Sequence, residues 1–369
     1  DSGIEVGHPE WLTRDGVTTR LKQIDWPVES GLSGVYTQGA QHYTDQYGHG
    51  THCASTTAGK LYGWANNADI YAIKIFDTDL YGVSASFNLM RAWHNLKKND
   101  RPTIVNMSWG YFGTYTNIVG GNWRGTTWTG TSAEAQYGMV QRNLLGGLYT
   151  HPVRVTSVDS DIEDCIEAGM ILVSAAGNAA HKMDLSTGLD YNNYWTSSTL
   201  GNRYYHQGGT PQASSNVICT GAIDYEYTLG QEKSADFSEK GPRVDIFAPG
   251  YAIQAAIPSG ADLDSSSTTH PDNASYKIRK LQGTSMASPQ VCGILTQLLQ
   301  ARPYYTQADC LAWLQDQAVD SRLNDPTIGT PSTDYQNFRA LNGANNKYLQ
   351  TPFVSGLKYN FTGGISFTR

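Results

Sequence analysis

The sequence predicts an α/β fold, a doubly wound, mainly parallel sheet with helices on both faces, and three observations carry that expectation. Short apolar, β-branched runs recur at 70–76, 103–107, 170–175, 216–222 and 244–247, each too continuous to have one face in water; such runs read as buried parallel strands. Between them lie helical patterns. Finally, the runs and the helical segments alternate along the chain, as crossover connections in a parallel sheet require.

The elements follow in order. Phe87, Met90 and Trp93 recur at three-residue steps, and Ile162, Cys165 and Ile166 line one face of a second helical segment. The strongest helix follows Ser285, where Val291, Ile294, Leu295, Leu298 and Leu299 recur at three- and four-residue steps until Pro303 stops the run. Two long stretches rich in Gly, Asn, Thr and aromatics, about 111–156 and 179–215, break this rhythm and read as surface insertions. A third, about 259–280, holds the Ser265, Ser266, Ser267 run and is polar enough to predict a mobile loop. We expect one catalytic domain over 1–323 and a small strand-containing C-terminal appendage or assembly segment over 324–369, with short alternating segments at 353–359 and 365–367.

Composition excludes several classes. With 369 residues the chain can bury a large core, and its formal net charge of -7 lacks the basic excess of a phosphate-binding protein, so nucleic acid is not an expected partner. No run of 18 apolar residues occurs, and no membrane partner is expected. Only 16% of residues are charged while Gly and Tyr are abundant, which suits an extracellular or particle-associated protein. The five cysteines, Cys53, Cys165, Cys219, Cys292 and Cys310, have no metal-ligand spacing, and an odd number leaves at least one thiol unpaired within the chain.

The chemistry concentrates in three motifs. Ser285 stands in Gly283-Thr284-Ser285-Met286-Ala287-Ser288-Pro289, ahead of the apolar helix. A serine there can be merely a cap. Its small neighbours, however, let a substrate backbone approach, and the helix N-terminus favours the negative charge that builds on an attacked carbonyl oxygen. A serine nucleophile needs a base whose tautomer is fixed by a third group. His49 and His52 stand out in Tyr47-Gly48-His49-Gly50-Thr51-His52-Cys53. Their i, i+3 spacing could share a metal, but no carboxylate completes such a set nearby. Two acids compete for the third role. Asp1, in Asp1-Ser2-Gly3-Ile4-Glu5, has the pattern of a strand ending in a tight turn at the sheet's carboxyl edge, and Asp45 is closer to His49 in sequence.

These segments resemble the signatures of the subtilisin-like serine proteases, the subtilases, in the chain order Asp, His, Ser. Details resemble the proteinase K branch: His8-Pro9-Glu10 after the first motif, Asn106-Met107-Ser108-Trp109-Gly110, Ala175-Ala176-Gly177-Asn178, and Val244-Asp245-Ile246-Phe247-Ala248-Pro249-Gly250. The resemblance covers residues 1 to about 318 outside the insertions.

It implies a serine endopeptidase acting on a polypeptide substrate, with Asp1 as orienter, His49 as general base and acid, Ser285 as nucleophile and Asn178 as oxyanion donor, a donor supplying roughly 3 kcal/mol of transition-state stabilisation. Ser108, Trp109 and Gly110, with Ala175, Ala176 and Gly177, would bind substrate as an added strand. Trp109 departs from the small aliphatic residue common there. The resemblance further implies a disulfide between Cys219 and Cys310, and a structural calcium ion held by Asp245 with the backbone carbonyls of Asn216 and Ile218. The calcium loop that follows the histidine helix in bacterial relatives is shortened here, between Ala58 and Ala65, so that second site is not expected. Catalysis itself needs no cofactor.

The insertions begin at the substrate-binding segments, so their aromatics, Tyr111, Phe112, Trp123 and Trp128 in one and Tyr191, Tyr194, Trp195, Tyr204 and Tyr205 in the other, are expected to narrow the cleft or bind a partner. Family members carry a strand before the aspartate and an inhibitory propeptide. That strand would lie outside these residues or come from another chain, which opens an alternative: a subtilase-like module of a larger assembly, such as a virion or surface structure, with a structural role or an activity limited to maturation.

Overall fold

A computed structural model describes residues 1–76, 82–115, 117–130, 149–228, 231–260, 266–326 and 339–350. The expected apolar runs become strands of one sheet: Ile104–Met107, Ile171–Ala175, Ile218–Thr228 and Ile246–Pro249 lie side by side in that order, and all three pairings are parallel. Every residue of Ile171–Ala175 is buried, the signature of a strand covered on both faces.

Alternation along these strands divides the core in two. Ile171, Val173 and Ile218 point toward Val291, Ile294, Leu295 and Leu298 of helix Thr284–Ala301, and toward Cys310 and Leu314 of helix Gln307–Gln317. Leu172 and Val217 point the other way, into Phe87, Met90 and Trp93 of helix Val83–Leu96 and Val158, Ile162 and Cys165 of helix Thr156–Glu167. The three-residue steps in the sequence are therefore core faces. Burying each such aliphatic side chain contributes roughly 1.5–3 kcal/mol.

One expected strand does not form a ladder. Residues 70–76 run extended, with a single bridge from Ile70 to Leu21, and their register toward the sheet is held at Asp1, whose N–H donates to Ile73 O at 3.1 Å and whose carbonyl accepts from Ile75 N at 2.8 Å. Between this segment and Ile104–Met107 lies a cavity of about 1230 Å³, lined by Ile4, Ile70, Ile73, Phe87, Val105 and Met107 among others. A strand needs a neighbour for its ladder, and across this cavity residues 70–76 have none among the described residues.

The insertions also differ from a set of loops. Ile118–Trp123 and Thr126–Thr129 from the first pair with Tyr194–Ser197 and Gly201–Tyr204 from the second, forming one four-stranded antiparallel sheet. Trp195 and Tyr205 stack at 4.4 Å, with Ile118 and Trp128 beside them, so three of the aromatics expected at the cleft instead form the buried core of this small sheet. Arg124 reaches across to the buried Asp190 with two N–H donors, at 2.6 and 3.1 Å. The third insertion is likewise ordered where described. Thr268–His270, Asn273–Leu281 and Ile253–Ile257 form a three-stranded antiparallel sheet, anchored by His270, which donates to the buried Glu10 at 3.0 Å. Residues 261–265, with Ser265, lie outside the described residues.

Past residue 324 the chain returns to the main sheet. Lys347–Tyr348 pairs in parallel with Phe247 and antiparallel with Val319–Asp320, and Ala340 and Leu341 are buried. The segments at 353–359 and 365–367 lie outside the described residues.

Candidate active site

The three motifs converge where the parallel strands end. Helix His49–Ala58 begins at His49, and its entry depends on close contact with the turn after Asp1. Gly3 has φ +118, and a Cβ there would stand 1.9 Å from Thr44 O; a Cβ on Gly50 would stand 2.2 Å from Gly3 O. Only glycine at both positions lets the two backbones meet. The result is a hydrogen bond of 2.8 Å from His49 Nδ1–H to Asp1 Oδ1, which also accepts from Ser2 N at 2.7 Å. With Nδ1 donating, the neutral ring presents Nε2 as an acceptor.

Asp45 has a different task. Its Oδ1 accepts from Ser2 Oγ at 2.9 Å, Tyr47 N at 3.1 Å and Gly48 N at 2.8 Å, and its Oδ2 accepts from the N–H and hydroxyl of Thr51 at 2.9 and 2.7 Å. Every one of those bonds fastens the turn to the start of the histidine helix. His52 is equally structural: it is fully buried, with Nε2 2.9 Å from Ile253 O, and burial holds its pKa down at about 4. Asp45 is the nearer in sequence, but it is Asp1, the acid the resemblance named, that bonds the imidazole.

Ser285 is the second residue of helix Thr284–Ala301, which starts directly after Gly283, whose φ of +148 is a conformation that suits glycine alone. Its Oγ donates to Ser108 O at 3.1 Å, and no hydrogen bond joins it to His49. Cys53, one turn along the histidine helix, bridges the two motifs: Sγ lies 3.3 Å from Ser285 O and 3.9 Å from His49 Nδ1. Burial pushes the His49 pKa down, but the neighbouring Cys53 and Asp45 outweigh it and leave it raised.

Asn178 is oriented from below. Its Oδ1 accepts from both the N–H and the hydroxyl of Thr284, each at 2.9 Å, while Thr284 Oγ1 accepts from Gly177 N at 3.0 Å. Both donors fall on the oxygen, so the amide NH2 must face the other way, over Gly283, whose Cβ position lies 3.4 Å from Nδ2. Thr284 was not singled out in the sequence, although its place before Ser285 was the available signal.

Among the expected substrate-binding residues, Ser108 is tied to the site directly, its Oγ donating to Ser285 O at 2.8 Å. The Trp109 ring packs against Phe76, Phe87 and Tyr111, with the cluster under the sheet. Gly110 is backed by Gln212, whose amide oxygen would stand 2.8 Å from a Cβ there. Ala175 ends its strand, Ala176 N donates to Thr220 O at 2.9 Å, and Gly177 lies against the buried Glu239. Burial raises the Glu239 pKa to about 8.

One expectation is corrected. Cys219 and Cys310 form no disulfide, and all five cysteines are free and buried. Cys219 follows Ile218 along the strand and so points to the opposite face, among Ala176, Met183 and Phe247, whereas Cys310 packs with the serine helix on the first face. Two of the expected calcium donors already have protein partners. Asp245 Oδ2 accepts from Arg243 Nη1 at 2.9 Å and Cys219 N at 2.8 Å, the Asn216 carbonyl accepts from Gln307 Nε2 at 2.8 Å, and Ile218 lies in the ladder opposite Val173. A guanidinium against the carboxylate does not fit a calcium ion at the same oxygen.

A parallel sheet that brings a carboxylate–imidazole pair and a helix-mounted serine to its carboxyl edge has the layout of an α/β serine hydrolase. The chain belongs to the subtilase family, whose model matches residues 1–348. It is similar to subtilisin-like proteinase Mp1 of Magnaporthiopsis poae, 26% identical over 342 residues, covering 93% of this chain and 64% of that protein. It is also similar to subtilisin-like protease 2 of Pseudogymnoascus destructans, 25% identical over 326 residues, covering 88% and 60%. Such relatives are fungal proteins of the proteinase K branch, and the chain spans less than two thirds of their length. Its fold matches the crystal structure of a cold-adapted subtilisin-like serine proteinase at a TM-score of 0.56 and 20% identity, covering 95% of this chain and 86% of the other.

Proposed function

We propose that the protein is a serine endopeptidase that hydrolyses peptide bonds through an acyl-enzyme on Ser285. The observation that supports the reading is the 2.8 Å bond from His49 to Asp1 together with a serine whose neighbour, Thr284, holds the Asn178 amide by its oxygen.

In this reading a polypeptide lies extended against Ser108–Gly110 and Ala175–Gly177. Rotation about the Ser285 Cα–Cβ bond frees its hydroxyl from Ser108 O and turns it to His49. Nε2 takes the proton as Oγ attacks the scissile carbonyl carbon, and Asp1 stabilises the imidazolium. The oxyanion accepts from Asn178 Nδ2 and from the Ser285 N–H at the open helix start. His49 then protonates the leaving amine, and water hydrolyses the ester by the same steps in reverse. Every proton moves between residues of this chain, substrate and water.

A fluorophosphonate probe tests the assignment. We expect stoichiometric labelling at Ser285, abolished by Ser285→Ala and by prior treatment with a peptide chloromethyl ketone that alkylates His49. A folded wild-type protein that stays unlabelled overturns the reading.

A further inference from the structure

Arg243 lies where two strands and a loop meet. It is buried, and its Nη2 donates to Ser214 O at 2.6 Å and Val217 O at 2.7 Å, while Nη1 donates to Asp245 Oδ2 at 2.9 Å. One guanidinium therefore gathers a carboxylate and two main-chain carbonyls, a donor set of the kind that holds a hard divalent cation. It delivers positive charge to these oxygens through directed N–H bonds.

We propose that Arg243 is a built-in replacement for a structural calcium ion, so that this junction is held by the chain's own cation and is indifferent to calcium. The junction matters to the site. Ser214 and Val217 lead into strand Ile218–Thr228, which pairs with Ile171–Ala175, and that strand runs on to Asn178. Gln307 reinforces the same corner by bonding the carbonyls of Leu172 and Asn216 at 2.9 and 2.8 Å. The choice of arginine is consistent with the geometry, because its planar fork reaches three oxygens in different directions.

The replacement makes a specific expectation for removal. Arg243→Ala leaves Asp245 and the carbonyls of Ser214 and Val217 facing a space without a cation, the costly half of a broken buried pair. Thermal unfolding of wild type, Arg243→Ala and Arg243→Lys, each with a chelator and with millimolar calcium, tests it. Wild-type Tm should not move between the two conditions. Arg243→Ala should melt lower by about 5–10 °C in chelator and recover part of that loss in calcium, with terbium luminescence reporting the newly opened site. Arg243→Lys, which keeps a charge but not the fork, should lose less and stay indifferent to calcium. If Arg243→Ala does not fold, the wild-type and Arg243→Lys arms still decide. A wild-type Tm that falls in chelator, with the calcium response abolished by Asp245→Asn, overturns the proposal. So does an Arg243→Ala protein as stable as wild type in chelator.

Discussion

Thr284 holds Asn178 by its amide oxygen through two donors, a backbone N–H and a hydroxyl, each at 2.9 Å. The residue beside the proposed nucleophile thus sets which way the amide of Asn178, the proposed oxyanion donor, points. Thr284→Val keeps the shape and the backbone bond but loses the hydroxyl, which also accepts from Gly177 N. We expect kcat to fall by about tenfold with little change in KM, since the bond acts on a donor used mainly in the transition state. Thr284→Ser should restore most of it. Asn178→Ala, which removes the donor itself, should cost on the order of 10²–10³ in kcat. Steady-state kinetics on a peptide anilide separates the two effects, and equal KM and kcat losses in Thr284→Val would instead mean a general loss of packing.

The pH profile should carry the signature of His49. Its folded pKa stands above the ordinary histidine value of 6.5, because Cys53 and Asp45 outweigh the effect of burial. A general base must be neutral, so kcat/KM should rise with pH through that raised value and be lost below it. We expect an acidic limb with its midpoint above 6.5 in the free enzyme, measured as kcat/KM against pH. A midpoint below 6.5 would contradict the assigned environment.

Glu239 should make stability fall with rising pH. Burial lifts its folded pKa from 4.5 to about 8, and its Oε2 has no hydrogen-bond partner. Between those values the unfolded chain has released a proton that the folded protein retains, so each increment of pH favours unfolding. Glu239→Gln removes the titration. The variant's Tm should exceed that of wild type by more at pH 8 than at pH 5, with a difference of several degrees, and calorimetry at the two pH values measures it. A gap that does not widen with pH would show that the carboxyl is already ionised in the fold.

Much of this was legible in the sequence because it is local or periodic. The three-residue steps of Phe87, Met90 and Trp93 and the long stripe after Ser285 proved to be core faces, since a helix places such residues on one side whatever the partner. The serine and histidine motifs were legible because their glycines permit close approaches that other residues would block, as at Gly50 against Gly3. Where the reading went astray, a partner distant in sequence decided. Aromatics such as Trp195 and Tyr205 looked like cleft furniture, but the second insertion pairs with the first and buries them. The polar stretch 259–280 read as a mobile loop, yet its strand Asn273–Leu281 pairs with Ile253–Ile257.

By itself the sequence determined the α/β alternation, the helix faces and the identity of the motifs, all properties of neighbours within a few residues. Between Asp1 and Asp45 the residues themselves left the choice open and the family resemblance named Asp1; the tertiary structure supplies the physical reason, because the choice depends on which carboxylate lies 2.8 Å from an imidazole rather than on how far apart the residues are in the chain. Only the tertiary structure decided that Cys219 and Cys310 stay apart. One residue's shift along a strand turns a side chain to the other face of the sheet, and no spacing between cysteines reveals on which face each one stands.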